Sequence, residues 1–151
     1  MQNEKINPEE AYKTLMLIWF ALLVSQFLFP VLLYFIKPEL FRFDFTKPLF
    51  GENALVVAAI GVIALSNLFI SFSLSKKYID EAINAGSIAL VQTALIVGCA
   101  LCESVSIFGL VLGVVIDYQY FFVFSILGIV GTILHFPSRD KVHAASPRSG
   151  L

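Results

Sequence analysis

The sequence predicts an all-α integral membrane protein with four membrane-spanning helices, and two observations support this fold class. First, 58% of the 151 residues are hydrophobic and only 14% are charged, with a mean hydropathy of +0.86. Soluble domains have roughly 45 to 50% apolar and about 25% charged residues. Second, the charges are segregated: residues 14–36, 53–75 and 118–138 contain none, and residues 82–116 contain only Glu103. Such a chain has too little polar surface for a soluble protein.

Each apolar stretch is long enough to cross a bilayer as a helix. About 20 residues rising about 1.5 Å each span the ~30 Å hydrocarbon layer. We expect helices over about 14–36, 53–75, 87–115 and 118–136, which together form a single domain, residues 1–136. A β-barrel would show alternating apolar and polar residues, whereas these runs are continuously apolar. Helices 3 and 4 should be antiparallel neighbours, because very few residues join them.

Polar segments flank and separate these helices. Asn7 followed by Pro8 is typical of a helix start, with the asparagine as the cap. The connection 38–52 contains the run Phe-Arg-Phe-Asp-Phe at 41–45, which would place three rings on one side if extended, and we expect it on the bilayer surface. The tail, residues 137–151, has no apolar period and is rich in Ser, Ala, Gly and Pro, which predicts disorder.

The distribution of Lys and Arg predicts the orientation. The amino-terminal segment, the loop around Lys76 and the tail together carry seven of these residues, and the other two loops carry three. By the positive-inside rule both termini face the cytoplasm. A bacterial inner membrane is the simplest location. The net charge of -1 and the lack of a basic stripe argue against nucleic acid as a partner.

Glu103 is the one charged residue inside the predicted spans, and it lies near the middle of the third helix. An ionised carboxylate at that depth costs at least ~2.5 kcal/mol, so the side chain should be protonated, paired or in contact with water. No Lys or Arg occurs within the four stretches to pair with it. We therefore expect an acid that is neutral by default and ionises on contact with water or a partner, which is the behaviour of a proton carrier. The alternative is a protonated structural donor to a backbone carbonyl or to Asn67.

Other polar and small residues in the spans have structural interpretations. Asn67 and Gln26 can each face Glu103 or bond across helices. His135, at the end of the fourth helix, has no partner at metal-ligand spacing, so we expect an interfacial residue and no metal site or cofactor. A small-residue seam repeats at steps of three and four along the third helix, and it favours close packing within the chain or between copies. Its members are Cys99, Cys102, Ser106, Gly109 and Gly113.

The third helix resembles the carboxylate-bearing helix of the c subunit, the rotor-ring proteolipid of rotary F-type and V-type ATP synthases. Residues 93–113 read TALIVGCALCESVSIFGLVLG, where a small-residue pattern leads to Glu103 and then to an I-x-G-L-V stretch at 107–111. The resemblance covers about residues 54–115, as a two-helix hairpin (53–115) with extra helices at both ends. The loop of that hairpin is cytoplasmic in the bacterial family, as the charge count predicts here.

By this resemblance, Glu103 would bind the transported ion, a proton or alternatively sodium, with Ser104 and Asn67 beside it. The small-residue seam would let hairpins pack into a homo-oligomeric ring in the bilayer. The chain would be an ion-translocating subunit of a larger complex rather than an enzyme, because no nucleotide-binding loop or catalytic cluster occurs. The alternative from another class is a structural or accessory subunit with no transport role.

The first and third helices also share a weak internal repeat. Five residues of the first helix recur in the third at a constant offset of 79, with Val24 in the place of the carboxylate. The repeated residues are Thr14, Ala21, Leu22, Ser25 and Phe29, which correspond to Thr93, Ala100, Leu101, Ser104 and Phe108. A duplicated hairpin would explain this pattern, and so would coincidence among apolar residues.

Overall fold

A computed structural model describes residues 7–44 and 46–146, which form five α-helices and one 3₁₀ turn. The helices are α1 (Pro8–Ile36), α2 (Ala54–Ala85), α3 (Ile88–Ile116), α4 (Phe121–Leu134) and α5 (Arg139–Ala144), and the 3₁₀ turn is Pro38–Phe41. Three of these helices, α1, α2 and α3, are long and apolar enough to cross a membrane. This all-α architecture with three long apolar helices indicates an integral membrane protein.

The helix ends follow from local capping. Asn7 caps α1 as expected, because its side chain accepts a hydrogen bond from the backbone N–H of Glu9 at 3.0 Å. α2 continues well beyond the predicted end at Ser75, through a polar turn in which Lys77 and Glu81 lie 3.9 Å apart. Gly86 then ends α2 with a φ of 62°, a left-handed conformation that glycine adopts without strain.

The fourth helix is shorter than the sequence predicts. α4 has 14 residues, about 21 Å of helix, which is less than the hydrocarbon thickness. The prediction of a helix over 118–136 is therefore corrected at both ends. Residues 118–120 lie in the turn after α3, where Tyr120 Oη and Gln119 Nε2 donate hydrogen bonds to backbone carbonyls of Lys47 and Asp44. Pro137 cannot donate a backbone hydrogen bond, which favours the early end at Leu134.

α3 is the central helix of the bundle. It packs against α1, α2 and α4, and α4 also packs against α1. α1 and α3 run in the same direction, since Lys37 at the end of α1 forms an ion pair with Asp117 at the end of α3. We call the end of the bundle that holds these two residues the loop end, and the opposite end, where α1 and α3 begin, the amino end.

The connection 38–52 covers the loop end instead of lying extended. Its first residues form the 3₁₀ turn, and Leu40 is buried there. The rings of Phe41 and Phe43 pack against Phe121 and Phe122 of α4, each pair with centroids 5.2 Å apart. Two of the three rings expected on one side therefore do share a partner helix, and the third, Phe45, lies outside the described residues.

The segment after residue 136 differs from the expected disorder over its described part. Arg139–Ala144 forms α5, which folds back onto the amino end of the bundle. Val142 and Ala145 are fully buried in one cluster with Leu15 and Ala82. Val142 and Ala145 alone form too short an apolar pattern to be recognised in the sequence, so the sequence does not predict this contact of α5 with the bundle. Residues 147–151 of the predicted tail lie outside the described part.

Candidate functional site: a carboxyl at mid-membrane depth

Glu103 lies near the middle of the 29-residue α3, on the side of the helix that the rest of the bundle leaves open. The exposed residues of α3 recur at steps of three or four, which is one face of a helix. That face consists of Ala89, Gln92, Ile96, Ala100, Ile107, Val111 and Val115, and the half-buried Glu103 falls in register between Ala100 and Ile107. The only acidic side chain of α3 is therefore half-buried at the edge of this open face, and it is not part of the buried core.

One side chain of α1 contacts the Glu103 carboxyl. The Oγ of Ser25 lies 2.7 Å from Oε1 of Glu103, a short hydrogen bond that joins α1 to α3. The same Oγ lies 2.8 Å from the backbone oxygen of Leu22, one turn earlier in α1. Ser25 thus stands between a carboxyl group and a backbone carbonyl.

The hydroxyl of Ser25 has one hydrogen, so it can donate to only one of these two oxygens at a time. When Glu103 is ionised, Ser25 donates to the carboxylate. When Glu103 is protonated, its O–H donates to Ser25 Oγ, and Ser25 donates to the Leu22 carbonyl. At the observed distance of 2.7 Å a hydrogen bond can form in either arrangement, and the Ser25 hydroxyl changes acceptor by rotation of its O–H. The geometry is suited to reversible proton binding.

Asn67 and Ser104 bond to each other, not to Glu103. The amide Nδ2 of Asn67 donates to Ser104 Oγ at 2.8 Å, and Ser104 in turn donates to the carbonyl of Leu101 at 2.7 Å. This pair joins α2 to α3 one residue along from the carboxyl. The three predicted site residues, Glu103, Ser104 and Asn67, thus lie at one level of the bundle. Asn67 and Ser104 form a hydrogen bond between helices beside Glu103.

None of the ion pairs that the described residues form involves Glu103. Among residues 7–44 and 46–146 the ion pairs are Lys37–Asp117, Lys77–Glu81 and His143–Glu9, all near the ends of the bundle. The spans contribute only hydroxyl and amide groups at the level of Glu103. The hydrogen bond that the structure gives to the Glu103 carboxyl therefore comes from a neutral hydroxyl.

The small-residue seam of α3 faces the interior. Cys99, Cys102, Ser106, Gly109 and Gly113 are all buried. A Cβ at Gly109 would lie 2.6 Å from the backbone oxygen of Phe121, and one at Gly113 would lie 2.7 Å from Leu33 Cδ2. The seam therefore packs α3 against α4 and α1 of the same chain, and it is not a surface that a second copy could reach.

Gln26 belongs to a separate buried cluster on the α4 side of the bundle. Its amide donates to Thr132 Oγ1, and its Oε1 accepts from Ser106 Oγ at 2.9 Å. Trp19 Nε1 donates to the Thr132 carbonyl at 2.8 Å. The sequence leaves open whether Gln26 faces Glu103 or forms hydrogen bonds between helices, and the structure shows bonds between helices. These bonds satisfy each polar group and tie α1, α3 and α4 together.

His135 is buried at the end of α4 and not exposed at an interface. Its Nδ1 lies 2.8 Å from the carbonyl of Gly131, so Nδ1 carries a hydrogen and donates it there. The ring stacks on Phe72 with centroids 4.7 Å apart, and a Cβ on Gly98 would lie 2.6 Å from its Nε2. The glycine in α3 makes the space that this ring fills.

Cys102 lies near His135 without forming a nucleophile and base pair. Its Sγ is 3.9 Å from His135 Nδ1 and 3.5 Å from Ser71 Oγ. Because Nδ1 already donates to Gly131, it cannot take a proton from the thiol. Cys99 and Cys102 are both free thiols. Among the described residues no group of three or more His, Cys, Asp or Glu is arranged to hold a metal ion.

Sequence reasoning did not select Ser25 as a site residue, although a signal for it existed. Ser25 and Ser104 correspond at the offset of 79, and each donates or can donate to the carbonyl three residues earlier, Leu22 and Leu101, which also correspond. The repeat in the sequence is thus matched by the same local bond in two parallel helices. One copy of this serine bonds Asn67, and the other bonds Glu103.

Comparison with known proteins gives no match: no family model fits the chain, and no curated protein or solved structure is found to be similar to it.

Proposed function

We propose that the chain is an integral membrane protein that binds and releases a proton at Glu103, as a subunit of an ion-translocating membrane complex of the rotor-ring type. One observation carries the proposal: the carboxyl lies at mid-depth of α3, on its open face, with the single hydroxyl of Ser25 as its partner. An acid with this setting is reachable from a neighbouring protein yet is protected from bulk water.

In the proposed topology the chain crosses the bilayer four times, with both termini in the cytoplasm. α1, α2 and α3 supply three crossings, and α4 with the uncharged residues on either side of it supplies the fourth. The amino end of the bundle holds Lys13, Lys76, Lys77, Arg139 and Lys141. This excess of positive charge over the loop end supports a cytoplasmic amino end.

The proton cycle follows from the two states of the Ser25 hydroxyl. In the proposed cycle, a protonated Glu103 donates to Ser25 Oγ while the open face of α3 meets lipid. Ionisation requires a polar path or a cation, which the spans of this chain do not supply. A polar path in a partner subunit would accept the proton, a cation there would stabilise the carboxylate, and Ser25 would donate to that carboxylate until a proton returns.

The rival function is that of a structural or accessory subunit, in which the Ser25–Glu103 bond only holds α1 on α3. One observation favours this rival. Ser25 Oγ lies 2.7 Å from the half-buried Glu103 carboxyl, and a hydrogen bond whose role is only structural would have the same geometry. The inward-facing seam favours it as well, because ring formation would need another contact surface.

Glu103→Gln separates the two functions. A glutamine amide has the shape of the neutral acid and can donate to Ser25 Oγ, so we expect normal insertion and assembly. Proton movement, followed by a pH-sensitive dye in vesicles of native membranes, should be abolished. Asp117→Asn, which removes an exposed carboxylate at the loop end, is the matched control and should retain transport. Loss of folding with no separable transport defect would support the structural role.

The copy number of the chain in its native complex gives a second, independent test. Many identical copies in one complex agree with a rotor-type assembly. A single copy among unlike chains agrees with an accessory subunit. Chemical crosslinking followed by mass measurement of the intact complex distinguishes these outcomes.

A further inference from the structure

A second feature of the molecule lies at the amino end, about half a helix length away from Glu103. Here α1, α2, α3, the end of α4 and the segment that leads into α5 surround a cavity of about 290 Å³. The cavity is close in size to the smallest ligand pockets, which begin near 300 Å³. It is large enough for a polar headgroup and the start of a hydrocarbon chain, but not for a whole lipid.

Most residues that line this cavity are apolar, Ser75, His135 and Ser138 are polar, and the exposed charged residues form its rim. Leu15, Val91 and Leu95 line the side toward the bundle, and Lys76, Asp80 and Lys141 line the rim. An apolar wall below a charged rim, at the level where helices leave the hydrocarbon layer, matches the shape of an amphiphile in a bilayer leaflet.

The two ammonium groups on the rim are free to bind a ligand. Within the described residues, 7–44 and 46–146, neither Lys76 nor Lys141 takes part in an ion pair. By contrast, Lys77, the next residue along α2, lies 3.9 Å from Glu81 and does not line the cavity. With Asp80 included, the rim carries a net charge of about +1, which suits an anionic group of low charge.

α5 is what brings Lys141 to this rim. Val142 anchors the helix in the core, and His143 Nε2 lies 3.3 Å from Glu9 Oε1. The guanidinium of Arg139 lies 4.9 Å above the ring of Tyr12. The contacts fix α5 on α1, so the cavity has one cationic side chain from α2 and one from α5.

We infer that this cavity binds the headgroup of an anionic glycerophospholipid, with its phosphodiester between Lys76 and Lys141 and the start of an acyl chain against Leu15, Val91 and Leu95. The single net positive charge of the rim matches one phosphodiester better than a headgroup with several phosphates. The bound lipid would hold α5 in place from the membrane side. This site is separate from Glu103 and does not depend on proton binding there.

The test uses the full chain purified in detergent and phosphatidylglycerol as the probe, with complexes counted by native mass spectrometry. We expect one bound lipid per chain. Lys76→Gln or Lys141→Gln should weaken binding about fivefold, and the double variant about thirtyfold, since each lysine near an anionic surface contributes about 1 kcal/mol. The matched control Lys77→Gln should change binding less than about twofold. Circular dichroism of each variant checks that the helices remain intact.

Three outcomes would overturn the inference. One is an absence of a one-to-one complex with phosphatidylglycerol. Another is equal weakening by Lys77→Gln and Lys76→Gln, which would mean general attraction to the basic amino end. The third is a lack of selectivity for an anionic lipid, seen either as equal binding of phosphatidylcholine or as displacement of phosphatidylglycerol by inorganic phosphate. The lipid-binding experiment does not measure proton transport by Glu103. Failure of the lipid proposal therefore does not affect the proposal of a proton site, and the reverse also holds.

Discussion

The Oγ of Ser25 lies 2.7 Å from the Glu103 carboxyl and 2.8 Å from the carbonyl oxygen of Leu22. One hydroxyl hydrogen thus serves two acceptors in turn, according to whether the carboxyl carries its own proton.

Ser25→Ala should alter both proton binding and stability. The variant removes the one side chain that bonds Glu103 in either protonation state, so the carboxyl becomes more accessible to reagents and α1 is held less firmly. We expect a loss of about 0.5 to 1.5 kcal/mol in the free energy of unfolding, measured in mixed detergent micelles. Ser66→Ala is the matched control, because Ser66 is exposed and donates to Val62 within its own helix. Equal effects of the two variants would contradict the assignment of Ser25.

Asn67 and Ser104 should act as a structural pair and not as ligands of the ion. A double-mutant cycle with Asn67→Ala and Ser104→Ala should give a coupling energy of about 0.5 to 1.5 kcal/mol in unfolding measurements. Because the two groups satisfy each other at 2.8 Å, sodium should not protect Glu103 from chemical modification. Protection by millimolar sodium would show instead that these groups turn toward a bound cation.

Gly128→Ala should destabilise the bundle where α4 meets α3. An added Cβ would lie 2.7 Å from the backbone oxygen of Cys102 and would collide with Ser106 Oγ. Overpacking of this kind costs about 1 to 3 kcal/mol. Gly61→Ala is the control, because nothing lies within 4 Å of a Cβ there, and alanine is the better helix former. Unfolding in mixed micelles should show a lower stability for the first variant and an equal or higher one for the second.

Val142→Asp should release α5 from the bundle. A carboxylate cannot occupy the fully buried position of Val142 without a large desolvation cost. Trypsin should then cut after Arg139 and Lys141 at least about tenfold faster than in the unchanged protein, since local opening exposes the segment. Ala144→Asp, at an exposed position of the same helix, is the control and should be cut at the original rate. Fast cleavage of the unchanged chain would mean that α5 is not held on the bundle.

Much of the architecture could be predicted from charge segregation alone. The three long helices follow from their uncharged stretches, and the start of α1 at Asn7 follows from a capping rule that acts within a few residues. The length of α4 could not be predicted in the same way. Its ends depend on contacts with the connection 38–52, such as the bond from Gln119 to the carbonyl of Asp44, which bring together distant parts of the chain.

The candidate site likewise has one residue that the sequence predicts and one that depends on contacts between distant parts of the chain. Glu103 stands out in any charge profile, because a carboxyl in an apolar run is costly. Its partner Ser25 lies 78 residues earlier in the chain, and a serine in a membrane helix is an ordinary residue until the packing of α1 on α3 is known. The burial of the His135 ring is equally hard to predict, because it depends on the space that Gly98 of α3 leaves for the ring.

The most direct test of the central claim is carbodiimide labelling of Glu103 in native membranes across pH, with and without sodium. The reagent attacks a protonated carboxyl in an apolar setting, and peptide mass analysis identifies the modified residue. Our account predicts labelling at Glu103 that falls as the pH rises, is unaffected by sodium and is lost in Glu103→Gln. No labelling at any pH would mean that the carboxyl is sealed within the bundle, and it would contradict a proton site on the open face of α3.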